Sequence, residues 1–252
     1  MNIVIIGTGN TATVLGRLLK ESGHRIVQVY GRNAVAASEL AYKLDTESTN
    51  YWSVVNREAD IYIIAVSDIA MEEVLHELQL PQKTIVHTAA SVSKDIFKPD
   101  FRHYGVFYPL QSLKKETAHL PDTPIIIDAS DTQTLELLTA LAESISDIVV
   151  TADDEQRLKL HLAAVLCNNF VNHLYVLVED YCKMEGIDFR LLVPLIMETA
   201  ERVATNPSSK LQSGPALRKD TLTFNKHLAL LENYPRINQF YELFTSSIAE
   251  RG

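Results

Sequence analysis

The chain has 252 residues, of which 46% are hydrophobic and 22% are charged, values typical of a globular protein with its own core. Lys and Arg total 23 against 32 Asp and Glu, and the net charge of −9 argues against a nucleic-acid-binding protein. Cys167 and Cys182 would lie about 22 Å apart along one helix, which excludes a disulfide between them. Both are predicted to be buried free thiols in a reducing compartment.

Two features argue against export and membrane insertion. The N-terminal apolar run has no basic leader and enters a glycine turn directly, unlike a signal peptide. The longest apolar stretch, Leu158 to Val178, contains six polar residues, which would make its insertion into a bilayer unfavourable. We therefore expect a cytoplasmic protein that binds neither membranes nor nucleic acid.

The first half of the chain alternates short apolar runs with helical segments, the pattern of a parallel α/β sheet. Strands are predicted at Asn2–Ile6, Arg25–Tyr30, Ile61–Val66, Thr84–Thr88, Gly105–Tyr108, Pro124–Asp128 and Asp147–Thr151. Helices are predicted at Thr11–Ser22, Ala34–Leu44, Ile69–Leu78 and Thr132–Ser144.

From Asp153 onward the sequence has helical periodicity only. Helices are predicted at Asp153–Glu185, Asp188–Thr205, Asp220–Glu232 and Pro235–Glu250. The sequence therefore predicts an α/β Rossmann-like domain over residues 1–152, followed by an all-α domain over residues 153–252.

The first strand runs into the fingerprint G-x-G-x-x-G/A, with small residues at Gly7, Gly9 and Ala12. Gly7 allows a sharp turn, Gly9 allows the backbone to approach a pyrophosphate, and Ala12 allows the helix to pack on the sheet. The following helix would direct its N-terminal amides at the phosphates. The predicted dinucleotide-binding turn comprises Gly7, Thr8, Gly9, Asn10, Thr11 and Ala12.

The end of the second strand indicates which dinucleotide binds. Enzymes that use NAD place Asp or Glu there to bind the ribose 2′-hydroxyl, whereas this chain has Gly31, Arg32 and Asn33. Arg32 can pair with a 2′-phosphate, so NADP(H) is the predicted cofactor; a solvated loop arginine is the alternative. Val66 and Ser67, at the end of the next strand, are predicted to border the same cofactor.

The long helix after Asp153 is apolar nearly all round from Leu158 to Val178, which predicts burial on most sides. A polar stripe of His161, Asn168, Asn172 and Glu179 spans about 40° of this helix at 100° per residue. The stripe either lines a cleft or faces solvent, and Asn169, about 80° away, could reach the same cleft.

Three further positions have a structural interpretation, and two of them also have a functional one. His87 ends a strand, where it either borders the nicotinamide or is a satisfied buried histidine. Asp220 suits a helix N-cap, and Arg218 either anchors an anionic substrate group or is an ordinary surface residue.

The order of these motifs resembles one bacterial group that pairs a Rossmann-like domain with a helical C-terminal domain of unknown function. The motifs are Gly7–Ala12, His87-Thr88, Pro109-Leu110-Gln111, His161 through Asn169, and Gly214-Pro215 through Asp220. This group is similar to pyrroline-5-carboxylate reductase and the 6-phosphogluconate dehydrogenase superfamily, and its members are often labelled NADP oxidoreductases, sometimes deazaflavin-coenzyme-dependent. The resemblance implies a helical domain like the C-terminal domain of 6-phosphogluconate dehydrogenase and a homodimer through it.

This chain departs from the group at two places. It has Tyr108 where the group usually has a histidine before Pro-Leu-Gln, and Ala89-Ala90 where the group usually has Ser-Gly. Any role that needs the missing imidazole or the missing glycine is therefore in question.

These observations predict an NADP-dependent oxidoreductase that transfers a hydride to or from a small anionic carbonyl or imine substrate in the interdomain cleft. His161 is the candidate acid/base, because imidazole exchanges its proton near neutrality, and Asn169 would orient the substrate. Arg218 would hold the anionic group, Asn168 and His87 would add substrate contacts, and no metal site is predicted. The alternative is an NADP(H)-binding sensor or scaffold without catalysis, which the lack of an obvious Lys–Asn or Lys–Glu pair keeps open.

Overall fold

The computed structural model describes residues 1–98, 100–117 and 122–251, and the chain divides into two compact units, 1–168 and 169–252. The first unit contains the sheet and the helix that follows it, and the second unit is helical. The predicted fold class, a Rossmann-like domain followed by a helical domain, is confirmed. The boundary at residue 152 stays a prediction.

Among the described residues, eight strands form one sheet in the order β3-β2-β1-β4-β5-β6-β7-β8. Their bounds are β1 Asn2–Ile6, β2 Arg25–Tyr30, β3 Glu47–Thr49, β4 Ile61–Ile64, β5 Thr84–His87, β6 His103–Pro109, β7 Ile125–Ala129 and β8 Val149–Thr151. The short strand β3 was not predicted, because Glu-Ser-Thr lacks the apolar residues on which strand prediction depends.

The predicted parallel sheet has one exception, because β6 and β7 run antiparallel while every other described pair is parallel. Parallel neighbours need a crossover connection, usually a helix. The described residues between these two strands, 110–117 and 122–124, contain no helix.

The first unit contains five α-helices in its described residues: α1 Asn10–Glu21, α2 Ala34–Leu44, α3 Met71–Glu77, α4 Thr132–Glu143 and α5 Asp154–Ala164. Local chemistry fixes where three of them start. Asn33 caps α2, Asp131 caps α4, and Asp153 forms a capping box with Gln156 at α5.

The core lies on both faces of the sheet. Side chains alternate between faces along a strand, so Ile3 and Ile5 pack in one apolar cluster and Val4 and Ile6 pack in another. Because both faces are covered, the central strands are almost continuously apolar. What remains open for a ligand is the edge formed by the carboxyl ends of the parallel strands.

That edge contains a topological switch point. The chain leaves β1 toward β2 on one side and later returns to β4 on the other, so the loops after β1 and β4 diverge. Ligands of open α/β sheets bind in the crevice outside such a point.

The predicted single helix Asp153–Glu185 contains a π-helical segment, Val165–Phe170, between α5 and the next helix, α6 Val171–Met184. A π turn contains more residues than an α turn, so the count at 100° per residue fails beyond Val165. The predicted stripe that joined His161 to Glu179 is therefore not one straight line along this helix.

The remaining helices of the second unit are α7 Val193–Thr205, α8 Thr221–Leu230 and α9 Pro235–Ala249. Asp220 caps α8 through the Thr223 N–H, which confirms its predicted role. Among the described residues of this unit, only Cys182 and Leu231 are buried.

The predicted burial of the long helix is wrong for the isolated chain. Leu162, Leu166 and Phe170 each expose more than half of their surface, and Cys167 is exposed, unlike the buried Cys182. About 100 helical residues offer too small a core to enclose such a helix. By length and composition, the helical stretch Asp154–Met184 could cross a membrane. None of the residues in its most apolar part is buried inside the structure.

Candidate functional site

The turn from β1 to α1 has the geometry that its glycines predict. Gly7 has φ +126°, and a Cβ on it would lie 2.2 Å from the carbonyl oxygen of Ala65, so a larger residue cannot replace it. A Cβ on Gly9 would meet nothing within 4 Å, which leaves open space beside the backbone. Gly9 is the N-cap residue of α1, and no described side chain caps this end of the helix.

An open glycine beside an uncapped helix start suits a pyrophosphate, which binds to free backbone amides and gains from the helix dipole. Ala12 is buried at 1% exposure, in agreement with its predicted packing role. The predicted dinucleotide therefore fits the residues present at this turn.

A cavity of about 200 Å³ lies between this turn and the ends of β2 and β4, and we call it the Arg32 pocket. It is lined by Gly7 and Gly9, residues 30–32, Trp52, residues 65–67, Ala70, Glu73 and Val74. Trp52 stacks on Tyr30 with ring centroids 3.7 Å apart, which gives the pocket a flat aromatic wall. The predicted cofactor residues Gly31, Arg32, Val66 and Ser67 all line it.

Arg32 is not a free cation. Its Nη1 donates to Oε2 of Glu73 at 3.1 Å, and the two side chains remain 67% and 54% exposed. Asn33, the next residue, has its side chain engaged in capping α2 through the Ala36 N–H at 3.0 Å. The predicted phosphate anchor, Arg32, is therefore already paired with a carboxylate from a neighbouring helix.

A second cavity, of about 370 Å³, follows the same edge of the sheet, and we call it the His161 cavity. It is lined by residues 9–11, 65–68 and 88–91, Tyr108 and His161. Gly9 and residues 65–67 line both cavities, so the two adjoin along the glycine turn and the loop after β4.

Tyr108 and His161 meet at the wall of the His161 cavity. The Tyr108 hydroxyl lies 3.1 Å from Nδ1 of His161, within hydrogen-bond distance, and the rings are nearly perpendicular. Burial raises the pKa of Tyr108, so its hydroxyl keeps its proton at neutral pH. The two side chains thus form a hydrogen-bonded pair in which the Tyr108 phenol carries its proton.

The lining of the His161 cavity includes a second polar pair. The Ser91 hydroxyl donates to the carboxylate of Asp68, which joins the loop after β5 to the loop after β4. This contact fixes the position of one loop relative to the other at the cavity.

A buried arginine anchors the loop after β5 by hydrogen bonds. Arg157, on α5, is 1% exposed and donates to the carbonyl oxygens of Ala90 at 3.1 Å and Val92 at 2.5 Å. It also pairs with Asp154 at 2.8 Å. A guanidinium has several donors in a rigid fork, so one side chain can hold two carbonyls and a carboxylate together.

His87 supports the same loop. It is fully buried, stacks against Phe97, and accepts the Ala89 N–H at Nδ1 over 3.2 Å. Burial first, and then the charge of Arg157, lower the pKa of His87 to about 4, so it is neutral at pH 7. His87 is therefore buried as one interpretation of the sequence expected, but its Nε2 has no hydrogen-bond partner among the described residues, so it is not fully satisfied. Its substrate contact stays a prediction.

Three of the predicted site residues are exposed on their own units. Asn168 is exposed and does not line the His161 cavity. Asn169 and Arg218 belong to the second unit, where both are exposed, and their roles stay predictions.

Sequence reasoning missed several residues at these cavities. Tyr108 was noted as a departure from the group, and neither Asp68 nor Ser91 was assigned a role. Trp52 and Glu73 have no local signal that would assign them to a nucleotide pocket, and Arg157 has none that would predict its burial.

Comparison with family models places both halves of the chain. Residues 2–91 match the model described as "NADP oxidoreductase coenzyme F420-dependent", and residues 123–248 match "Domain of unknown function (DUF2520)". No curated protein matches the sequence.

Solved structures provide further relatives. The "putative NADP oxidoreductase BF3122" from Bacteroides fragilis is 40% identical, covers 99% of this chain and 98% of its own, and has a TM-score of 0.91. An imine reductase from Myxococcus stipitatus in complex with NADP+ is 16% identical, covers 99% and 93%, and has a TM-score of 0.69. A 1-pyrroline-5-carboxylate reductase from Streptococcus pyogenes is 16% identical, covers 99% and 98%, and has a TM-score of 0.65. At 16% identity, the likeness shows a shared fold.

Proposed function

The chain belongs to the family that joins an NADP-oxidoreductase Rossmann domain to a DUF2520 domain, and from this premise we propose that it is an NADP(H)-dependent oxidoreductase. We propose that it transfers a hydride to or from a carbonyl or imine carbon of a small anionic substrate. One observation carries the proposal: the Arg32 pocket and the His161 cavity adjoin each other along the glycine turn. A dinucleotide that lies along this edge would have its nicotinamide end near Tyr108 and His161.

Different residues would hold different parts of the cofactor. The open backbone at Gly9 and the amides of α1 would hold the pyrophosphate, and Arg32 would pair with the 2′-phosphate. Bound NADPH would supply the hydride.

Reduction also requires a proton. The substrate carbon gains the hydride, and the carbonyl oxygen or imine nitrogen gains a proton. Tyr108 engages Nδ1 of His161, which leaves Nε2 as the ring nitrogen that can give this proton to the substrate. Solvent then reprotonates the pair. In the oxidising direction, His161 takes the proton instead.

The remaining roles are those that the sequence predicts: Asn169 would orient the substrate, Arg218 would hold its anionic group, and Asn168 and His87 would add contacts. Replacement of Arg218 by Gln should then raise KM for an anionic substrate more than it lowers kcat. An unchanged KM would remove Arg218 from the site.

The test of the function is consumption of NADPH with a panel of keto acids and carboxylated cyclic imines. His161→Ala should lower kcat about 100-fold or more, while His76→Ala, an exposed histidine on α3, should not change it. Tight NADPH binding without turnover of any panel member would favour the sensor or scaffold instead.

We also propose that the protein works as a homodimer through its helical unit. Only two described residues of that unit are buried, and many large apolar side chains on α6 to α9 are exposed. A second copy is a better cover than lipid, because the helical stretch that could span a membrane carries His161 and other polar groups. Cytoplasmic localisation stays a prediction.

A further inference from the structure

Glu73 lines the Arg32 pocket and pairs with Arg32 itself. It lies in the first turn of α3, and its Oε2 is 3.1 Å from Nη1 of Arg32. Within the described part of the chain, Arg32 and Glu73 are the charged residues that line this pocket. The pocket therefore offers one cation already matched by one anion.

We propose that Glu73 determines how strongly this site prefers a dinucleotide with a 2′-phosphate over one with a 2′-hydroxyl. This inference rests on the proposed function, because it assumes that the Arg32 pocket receives the ribose that carries this group. It assigns a specificity role to a residue of α3, outside the segment that follows β2.

The two ligands place opposite demands on the pair. A 2′-phosphate carries a charge of about −1.5 to −2 near neutral pH and needs Arg32, so it must displace the carboxylate and then tolerates its repulsion. A 2′-hydroxyl is a hydrogen-bond donor, and a carboxylate is the acceptor that NAD-binding sites provide for it. Glu73 therefore penalises the first ligand and can assist the second.

The magnitude of this effect follows from exposure. Because both side chains are more than half exposed, the ion pair is weak and a phosphate can displace the carboxylate. Glu73 should thus reduce the preference for the phosphorylated ligand without abolishing its binding. Its charge also acts on the pocket wall, because burial first and Glu73 next raise the pKa of Tyr30.

The experiment measures dissociation constants of NADPH and NADH for the full chain and its Glu73→Gln variant. Trp52 is the single tryptophan and lines the pocket, so quenching of its fluorescence reports occupancy without any turnover. Glu72→Gln is the matched control, because Glu72 is the neighbouring exposed carboxylate of the same helix turn and does not line the pocket.

Glu73→Gln should raise the ratio of the NADH to the NADPH dissociation constant by about 5- to 10-fold, the effect of removing one screened charge near a phosphate. Glu72→Gln should change this ratio less than about 2-fold, since its exposed side chain does not line the pocket and its charge is screened by solvent. An equal ratio in the wild type and in Glu73→Gln would overturn the inference while leaving the proposed function intact. Failure of the wild type to bind either dinucleotide would overturn both.

Discussion

Tyr108 stands where the related group usually has histidine, and in this chain its hydroxyl lies 3.1 Å from His161 Nδ1. The substitution therefore keeps a hydrogen-bonding group at this wall of the His161 cavity. Its hydroxyl can fix the orientation of the imidazole and leave Nε2 directed away from Tyr108. A catalytic imidazole needs such an orienting partner to present the right nitrogen.

Tyr108→Phe should therefore lower kcat about 10-fold or more while leaving the NADPH dissociation constant unchanged, because it removes the partner of His161 and no cofactor contact. Steady-state kinetics and a binding titration separate the two effects. Tyr42→Phe, a change at a tyrosine that is 88% exposed, is the control. A Tyr108→Phe enzyme with wild-type kcat would show that the hydroxyl has no role in proton transfer.

Arg157 is the most buried charge of the described structure, and its donors reach two carbonyls of the loop after β5. Removal of one partner from such a network leaves the other polar groups unpaired, which is costly in a buried setting.

Arg157→Ala should lower the free energy of unfolding by about 3 kcal/mol, and Arg157→Lys should recover only part of it because an ammonium cannot form the same fork. Urea denaturation measures both. Arg57→Gln, at an exposed arginine, should have an effect below about 0.5 kcal/mol. Equal stability of Arg157→Ala and Arg57→Gln would contradict the assigned support of the loop.

His87 makes stability depend on pH. Its pKa is lowered to about 4 in the folded chain, mainly by burial, whereas an unfolded histidine titrates near about 6.5. Between these values the unfolded state binds more protons, so stability is complete above about pH 6.5 and falls as pH decreases toward about 4.

The free energy of unfolding should fall by about 3 kcal/mol between about pH 6.5 and about pH 4, and His87→Gln should abolish most of this loss. Urea midpoints measured from neutral pH to pH 4 provide the test. Asp131, whose pKa is lowered by its hydrogen bonds against the effect of burial, loses its contribution only below its ordinary range, so the two effects separate. A His87→Gln profile parallel to the wild type would contradict this account.

At the scale of elements, the start of α5 connects local chemistry to the site. Asp153 accepts the Gln156 N–H at 2.8 Å, and Gln156 accepts the Asp153 N–H at 3.2 Å. This capping box fixes the first turn of the helix that carries both Arg157 and His161.

Asp153→Ala should cost about 1 kcal/mol of stability, the usual value of an N-cap. Asp147→Ala, at an exposed aspartate of the loop before β8, provides a control of equal charge change. Chemical denaturation of the two variants should separate them; equal midpoints would mean that the capping box contributes nothing measurable.

At the scale of the whole molecule, the exposed apolar surface of the helical unit is the main feature. A unit with two buried side chains among its described residues cannot owe its stability to a core of its own. A second copy would cover the same surface on both protomers, as a two-fold interface requires.

Leu195→Glu, on α7 at a side chain that is 64% exposed, should convert a dimer into a monomer of 28.2 kDa. Sedimentation at micromolar concentration measures the mass. Val35→Glu introduces the same charge at an exposed apolar residue of α2 and should leave the dimer intact. A wild-type chain that sediments as a monomer would exclude the proposed dimer.

The sequence by itself determined the βαβ unit, its cofactor class and the N-cap of α8. Gly7, Gly9 and Ala12 act within one turn, Arg32 follows the next strand, and Asp220 caps the helix beside it. Such signals depend on neighbours in the chain, so their meaning is readable before folding. The direction of β7, the strand β3 and the π segment were missed, because pairing partners and helix phase are not encoded by local patterns.

Only the tertiary structure decided what these residues meet. Arg32 pairs with Glu73 across 41 positions, Tyr108 meets His161 across 53, and Arg157 reaches Ala90 across 67. Contacts between residues so far apart arise when the ends of parallel strands come together at one edge of the sheet. The sequence thus specified a nucleotide turn and an arginine, and folding supplied the carboxylate, the hydroxyl and the buried guanidinium that give them their chemistry.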